Sequence, residues 1–270
     1  MGRVIAITNQ KGGVGKTTTS VNLGASLAVG EQRTLVVDCD PQGHMSVGLG
    51  CSKARRDGVG SGVAAKGTVY DCIVGRASVE SVVMGTEVEG LEVVGADRNL
   101  VGAVVELVGM EGREYRLRGV LESVRDTYKY VLLDCPPSLD LLTLNALAAA
   151  DSVLIPVQCE YLALEGLTEL LGTIERMKQS LNPKLEIEGI LLTMYDERTT
   201  LARQVADDVR KVFGEKVFKT VIPRNVRLAE APSHGKPAMF YDMRSKGAIA
   251  YLELAKEVVA NDAKCFRQGA

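Results

Sequence analysis

A chain of 270 residues, 46% hydrophobic and 24% charged, with a net charge of −2, has the make-up of an ordinary globular protein able to bury a large core. No apolar run approaches the roughly 20 residues that cross a bilayer, and the first residues enter a strand-like run directly, so a cytoplasmic protein without a signal peptide is expected. Cys39, Cys51, Cys72, Cys135, Cys159 and Cys265 form no CxxC pair and have no histidines at metal-ligand spacing, which argues against a disulfide framework or a zinc site.

In chain order, residues 4–7 are an apolar run with strand character. A glycine-rich turn follows, and residues 18–28 then read as a helix. Further β-rich runs fall at 34–37, 91–94, 130–133, 153–157, 187–193 and 217–222, with helical patterns between them at 139–150, 164–181 and 201–213. These strands are continuously apolar rather than alternating, as expected where helices cover both faces of a sheet. The alternation predicts an α/β fold, three layers deep, with a mostly parallel sheet. No linker or repeat divides the chain, so residues 1–260 are expected to form one domain, with a packing helix over 245–259 and a disordered tail at 261–270. The segment 43–67, with basic residues at 53–56 and a Gly/Ser run at 58–62, reads as a flexible surface loop.

The turn after the first strand is Asn9-Gln10-Lys11-Gly12-Gly13-Val14-Gly15-Lys16-Thr17-Thr18. Strand, glycine-rich turn and helix form the context of a phosphate-binding loop, in which backbone N–H groups and the helix N-terminus face the anion. Lys16 would reach the outer phosphates and the Thr17 hydroxyl would ligate Mg²⁺. The usual G-x-x-x-x-G-K-[ST] pattern wants glycine where Gln10 stands, and an additional lysine, Lys11, precedes the glycine pair.

The second strand ends in Asp38-Cys39-Asp40-Pro41-Gln42-Gly43 and the fourth in Asp134-Cys135-Pro136-Pro137. Ligands of open parallel sheets bind at the carboxyl ends of the strands, so these acids are expected beside the loop. Of Asp38 and Asp40, one is suited to orienting Mg²⁺-bound water and the other to orienting the attacking water. Asp134 is suited to holding Mg²⁺ directly or through water. No Ser/His/Asp triad is visible, and phosphoryl transfer to water needs none. Net charge argues against bulk binding to nucleic acid. However, residues 198–246 hold eleven Lys/Arg against five Asp/Glu, a local +6 that leaves −8 for the rest and predicts a basic face.

The run from Lys11 to Thr18, together with Asp38 to Gly43, resembles the deviant Walker A ATPases, the group of P-loop NTPases containing ParA, MinD and the nitrogenase iron protein. The stretches 156–161, 192–196, 220–227 and 230–237 narrow the likeness to the chromosomal ParA proteins called Soj. It covers the chain from about Val4 to Val259. The resemblance implies an ATPase using ATP and Mg²⁺, a homodimer with two ATPs sandwiched between protomers, and Lys11 reaching the partner's ATP. It implies phosphate and metal contacts by Gly12, Gly13, Val14, Gly15, Lys16, Thr17 and Thr18. Asp40 matches the residue that positions the hydrolytic water, and Asp134 the Walker B acid. Pro223 and Asn225 match residues lining the adenine, and Arg198 and Arg227 match DNA-binding residues. Arg224 would serve DNA or the nucleotide pocket. Implied partners are non-specific double-stranded DNA and a ParB/Spo0J-type protein, and the implied location is the nucleoid. His44 departs from the asparagine common in relatives, and no helix-turn-helix extension precedes the loop. A MinD-like membrane-associated ATPase, a redox ATPase and a non-catalytic DNA-binding module are the rival readings.

Overall fold

The structure, a computed structural model, describes residues 2–51 and 67–268, with the side chains of 264–268 outside that description. Seven strands form one sheet: β1 (Arg3–Ile7), β2 (Thr34–Asp38), β3 (Met84–Gly85), β4 (Leu91–Val94), β5 (Tyr130–Asp134), β6 (Ser152–Gln158) and β7 (Glu186–Thr193). Their order is β3-β4-β2-β5-β1-β6-β7. Every pairing is parallel except the short β3 against β4. The expected α/β architecture is therefore present, and β3 adds a two-residue edge strand that no sequence pattern announced.

Each strand but β3 divides its side chains between two cores, which explains the unbroken apolar runs. In β1, Val4 and Ala6 enter one core while Ile5 and Ile7 enter the other. The first core is closed by α3 (Val69–Ile73), α5 (Leu100–Glu106), α6 (Arg116–Glu122), α7 (Leu141–Ala149), α8 (Ala163–Ser180) and α9 (Thr200–Phe213). The second is closed by α1 (Lys16–Val29), α2 (His44–Gly48), α10 (Val226–Glu230), α11 (Ala238–Tyr241) and α12 (Lys246–Gln268). The four-residue α4 (Val79–Val82) adds Val79 and Val82 to the first core. Helix α1 lies directly on the sheet because Gly24 offers no side chain: a Cβ there would stand 2.8 Å from Val36 Cγ1.

Two expectations are corrected. Residues 217–222 are not a strand; they meet β7 through the isolated bridge of Val217 with Ile190 and two N–H donations, Phe218 to the Ile190 carbonyl and Ile222 to the Leu192 carbonyl, both at 2.9 Å. The reason is a competing acceptor: the N–H groups of Lys219 and Thr220 donate to the Glu257 carboxylate on α12, at 2.8 and 3.1 Å. Of the tail expected over 261–270, residues 261–268 are the last part of α12, and 269–270 lie outside the described residues. Its Asp262 is buried and pairs with Arg3 at 2.8 Å. Of the loop expected over 43–67, residues 44–48 form α2, while the basic cluster at 53–56 and the Gly/Ser run at 58–62 lie outside the described residues. Among the described residues, no helix is long and apolar enough to cross a membrane.

Candidate nucleotide site

Strands β1, β2 and β5 end side by side. Ile7 is in register with Asp134, and Asp134 with Asp38. The chain leaving β1 must turn within a few residues to start α1 at Lys16. Two left-handed glycines make that turn, Gly13 at φ 76° and Gly15 at φ 91°, the latter immediately before the helix. Side chains resist these angles, so the glycines are set by backbone geometry rather than by crowding. Polar ties fix the rest of the loop. Asn9 Nδ2 donates to the Pro156 carbonyl at 2.7 Å, the Lys11 N–H donates to Asn9 Oδ1 at 2.9 Å, and Thr193 Oγ1 donates to the Val14 carbonyl at 2.9 Å.

Lys16 is buried, and its ammonium donates to the Lys11 carbonyl at 3.1 Å. Burial lowers its pKa, against the opposing pull of Asp134, Cys135 and Asp40. Lys11 Nζ, half-exposed, lies 3.2 Å from Glu160 Oε2. Beneath the loop, Asp134 accepts from Ser20 Oγ at 3.0 Å through one oxygen, while its Oδ2 and that of Asp38 are buried without hydrogen-bond partners. Burial pushes the Asp134 carboxyl up to about 6, despite the hydroxyls of Thr17 and Ser20. Burial, then the neighbouring Asp134, holds the Asp38 carboxyl well above the usual range. Asp40 stands at the mouth: its N–H donates to Asp38 Oδ1 at 3.1 Å, and its Oδ1 accepts the Gln42 N–H at 2.9 Å.

A cavity of about 560 Å³ opens over this arrangement, lined by Gly12, Gly13, Gly15, Lys16, Thr17, Thr18 and Asp40, with His44 and Met194 on its walls. A second cavity of about 230 Å³ adjoins it through Gly15, Thr18 and Met194, and is lined by Pro223, Arg224 and Asn225. The first suits an anion with a metal ion; the second, mostly apolar, suits a flat ring system. No cluster of three or more His, Cys, Asp or Glu side chains suited to a metal occurs among the described residues. The unpartnered Asp134 oxygen beside Thr17 fits Mg²⁺, which takes one or two protein oxygens and completes its shell with water and phosphate.

Of the sequence-predicted residues, Gly12, Gly13, Gly15, Lys16, Thr17, Thr18 and Asp40 line the larger cavity and Pro223 and Asn225 the smaller, while Lys11, Val14 and Asp134 line neither, Asp134 being buried beneath the loop. Arg224 lines the smaller one. Arg198, 83% exposed, is forked onto Asp196 at 2.9 and 2.7 Å. Arg227 pairs with Glu230 at 2.8 Å and Asp242 at 3.3 Å. Sequence reasoning missed Glu160 and Met194 as parts of the site and gave Asn9, the first residue of the quoted loop, no role. Met194 has φ 50°, an angle uncommon outside glycine, but nothing in its sequence context announces it. Cys135 and Cys159, which a redox reading would use, are buried.

A parallel sheet, a strand–loop–helix with a buried lysine and two strand-end carboxylates define a P-loop nucleotide hydrolase. Residues 2–187 match the family described as the AAA domain. The chain is 58% identical to the sporulation initiation inhibitor protein Soj of Bacillus subtilis, over 97% of its own length and 100% of that protein's. It is 53% identical to the chromosome partitioning protein ParA of Caulobacter vibrioides, over 96% and 95%. Among solved structures, MinD, the cell division ATPase of Pyrococcus furiosus, is similar at 27% identity and TM-score 0.77, over 96% of this chain and 99% of that one. Cobyrinic acid a,c-diamide synthase from Mycobacterium smegmatis with bound ADP and magnesium is similar at 38% identity and TM-score 0.80, over 96% and 94%. The chain belongs to the Soj/ParA family of chromosome-partitioning ATPases, and it is an ATPase.

Proposed function

We propose that this protein hydrolyses ATP with Mg²⁺ to time its attachment to DNA during segregation of a chromosome or plasmid. The observation that carries the reading is the pair of buried, half-unpartnered carboxylates, Asp38 and Asp134, set beneath a loop whose lysine already makes a backbone contact that an anion would displace. Such a site is incomplete without a cation and a polyphosphate.

In this reading the N–H groups from Gly12 to Thr18 and the start of α1 hold the phosphates. Lys16 neutralises the outer phosphates, and Thr17 with Asp134 would hold Mg²⁺, which would supply charge neutralisation at the leaving oxygens. Asp40 orients the hydrolytic water. Pro223 and Asn225 flank the adenine. Lys11 reaches the ATP of a second protomer, so a homodimer forms around two nucleotides and dissolves after hydrolysis. Arg198 and Arg227, with Arg224 beside them, contact DNA phosphates without sequence preference. A ParB/Spo0J-type partner stimulates hydrolysis, and the protein resides on the nucleoid. The near-complete match to Soj supports this reading over the MinD-like alternative, whose relative is less than half as identical.

The test compares wild type with Asp40→Ala for ATP turnover and for retention on random-sequence duplex DNA. Wild type should bind DNA only with ATP and lose it as salt rises. Asp40→Ala should keep ATP-dependent binding while turnover falls by about a hundredfold or more. DNA retention indifferent to ATP, or recruitment to anionic vesicles in place of DNA, would overturn the assignment.

A further inference from the structure

Both arginines assigned to DNA are already occupied. Arg198 forms a two-point fork with Asp196, and its own N–H also donates to Asp196 Oδ1 at 3.1 Å. Arg227 is held by Glu230 and Asp242, with its guanidinium 5.9 Å from the centre of the Tyr241 ring. A fork of this kind is geometrically specific, and a carboxylate against the guanidinium repels the phosphate that would replace it.

The tethered segments are joined to each other and to the nucleotide site. Tyr195 N–H donates to the Ile222 carbonyl at 3.0 Å, and Arg224 N–H donates to the Tyr195 carbonyl at 3.0 Å. The stretch bearing Asp196 and Arg198 therefore runs alongside the stretch bearing Arg224 and Arg227. Both also wall the smaller cavity, one through Met194 and the other through Pro223, Arg224 and Asn225. Asn225 accepts the Arg227 N–H at 2.9 Å and so fixes the turn on which Arg227 sits. Met194, two residues before Asp196, is held at φ 50°. Strain of this kind at a ligand wall is characteristic of segments with two arrangements.

We propose that Asp196 and Glu230 are positioning residues that keep Arg198 and Arg227 from DNA until nucleotide fills the adjoining cavity. The inference rests on the DNA-binding reading above and adds its off state. The backbone that walls the cavity is continuous with the backbone that holds each arginine to its acid, so no longer relay is needed.

The experiment measures retention on random-sequence duplex DNA over a salt series, with and without ATP, for wild type, Asp196→Asn and Glu197→Gln. Asparagine keeps the oxygen that accepts the Arg198 N–H, so the turn is retained. Glu197→Gln removes the same charge one residue away without touching the fork. Asp196→Asn should bind DNA without nucleotide at least about threefold more tightly than wild type, with a salt slope steeper by about 0.9, the value of one added phosphate contact. Its ATP-bound affinity should stay within about twofold of wild type. Glu197→Gln should leave the nucleotide-free slope unchanged. Doubling the release with Glu230→Gln/Asp242→Asn, which frees Arg227, should add a second contact. If Asp196→Asn and Glu197→Gln act alike, or Asp196→Asn raises both nucleotide states equally, the tether is only surface charge and the inference falls. If wild type shows no ATP-dependent DNA binding at all, the functional reading itself fails.

Discussion

Asp38 and Asp134 are poor choices for stability in the absence of ligand. Each has an oxygen sealed from water with no donor, and a buried carboxylate in that state costs free energy. Their raised pKa values have the same cause, since burial disfavours the charged form. Replacing Asp134 with Asn keeps the oxygen that accepts from Ser20 while removing the charge. Asp134→Asn should therefore stabilise the nucleotide-free protein by roughly 1–3 kcal/mol, read as a higher Tm, and at the same time abolish Mg²⁺-dependent turnover. Asp38→Asn should move Tm in the same direction. A lower Tm for both variants would mean that the acids are structural, held by contacts of their own rather than waiting for a cation.

At the scale of elements, the last helix is fastened to the foot of the sheet. Asp262 meets Arg3 of β1, Lys129 before β5, and the Tyr130 hydroxyl of β5. Burial alone would raise its carboxyl; Arg3, Lys129 and Tyr130 outweigh burial and hold it below the usual range. A depressed carboxyl stabilises the fold above its unfolded value of about 3.9, and that stability is lost as pH falls through the folded value. Asp262→Asn should thus lower Tm at pH 7 by about 2–6 °C, corresponding to roughly 1–2 kcal/mol. The gap should narrow as pH falls below about 4 and close only below the depressed folded value, where the wild-type carboxyl is neutral too. A gap unchanged between pH 7 and about pH 2 would point to lost packing instead. This anchor was invisible in the sequence, where residues 261–270 end a chain in polar and small residues and suggest fraying. Asp262 became an element of structure only because the sheet brings Arg3 and Tyr130 to meet it. The opposite error, the strand expected over 217–222, has the same origin: an apolar run reads alike whether all its N–H groups serve strand pairing or, as here, the two in its middle are taken by a glutamate on a helix. The strands other than β3, and the phosphate loop, were legible because their signals are local. Glu160 and Met194 were not, since each enters the site by tertiary placement, and the tie of Asn9 to Pro156 was hidden for the same reason.

At the scale of the whole molecule, the question is why one loop has two lysines. Lys16 points inward and its ammonium rests on the Lys11 carbonyl. Lys11 points outward and is held to Glu160 by an ion pair exposed on both sides, with 47% of each side chain accessible. A pair so open to solvent is worth less than about 1 kcal/mol, so a stronger anion can take Lys11 from it. A residue that is exposed, weakly held and beside a phosphate cavity is suited to serving a second copy of the chain, whereas Lys16 can serve only its own. The two substitutions should then separate. Lys16→Ala should lose ATP binding itself. Lys11→Ala should bind ATP as a monomer with affinity within about twofold of wild type, since its cis contribution is that of a screened surface charge, and should fail to dimerise. Equilibrium binding of ATP, beside gel filtration or light scattering with ATP, reads the two properties independently. An ATP-bound dimer of Lys11→Ala with wild-type stability would show that Lys11 belongs to its own protomer's site. A loss of ATP binding equal to that of Lys16→Ala would show the same. Lost dimerisation with retained binding would mean that each protomer holds an incomplete hydrolytic site, and that the γ-phosphate, by engaging a lysine from the other protomer, sets both oligomeric state and access to DNA.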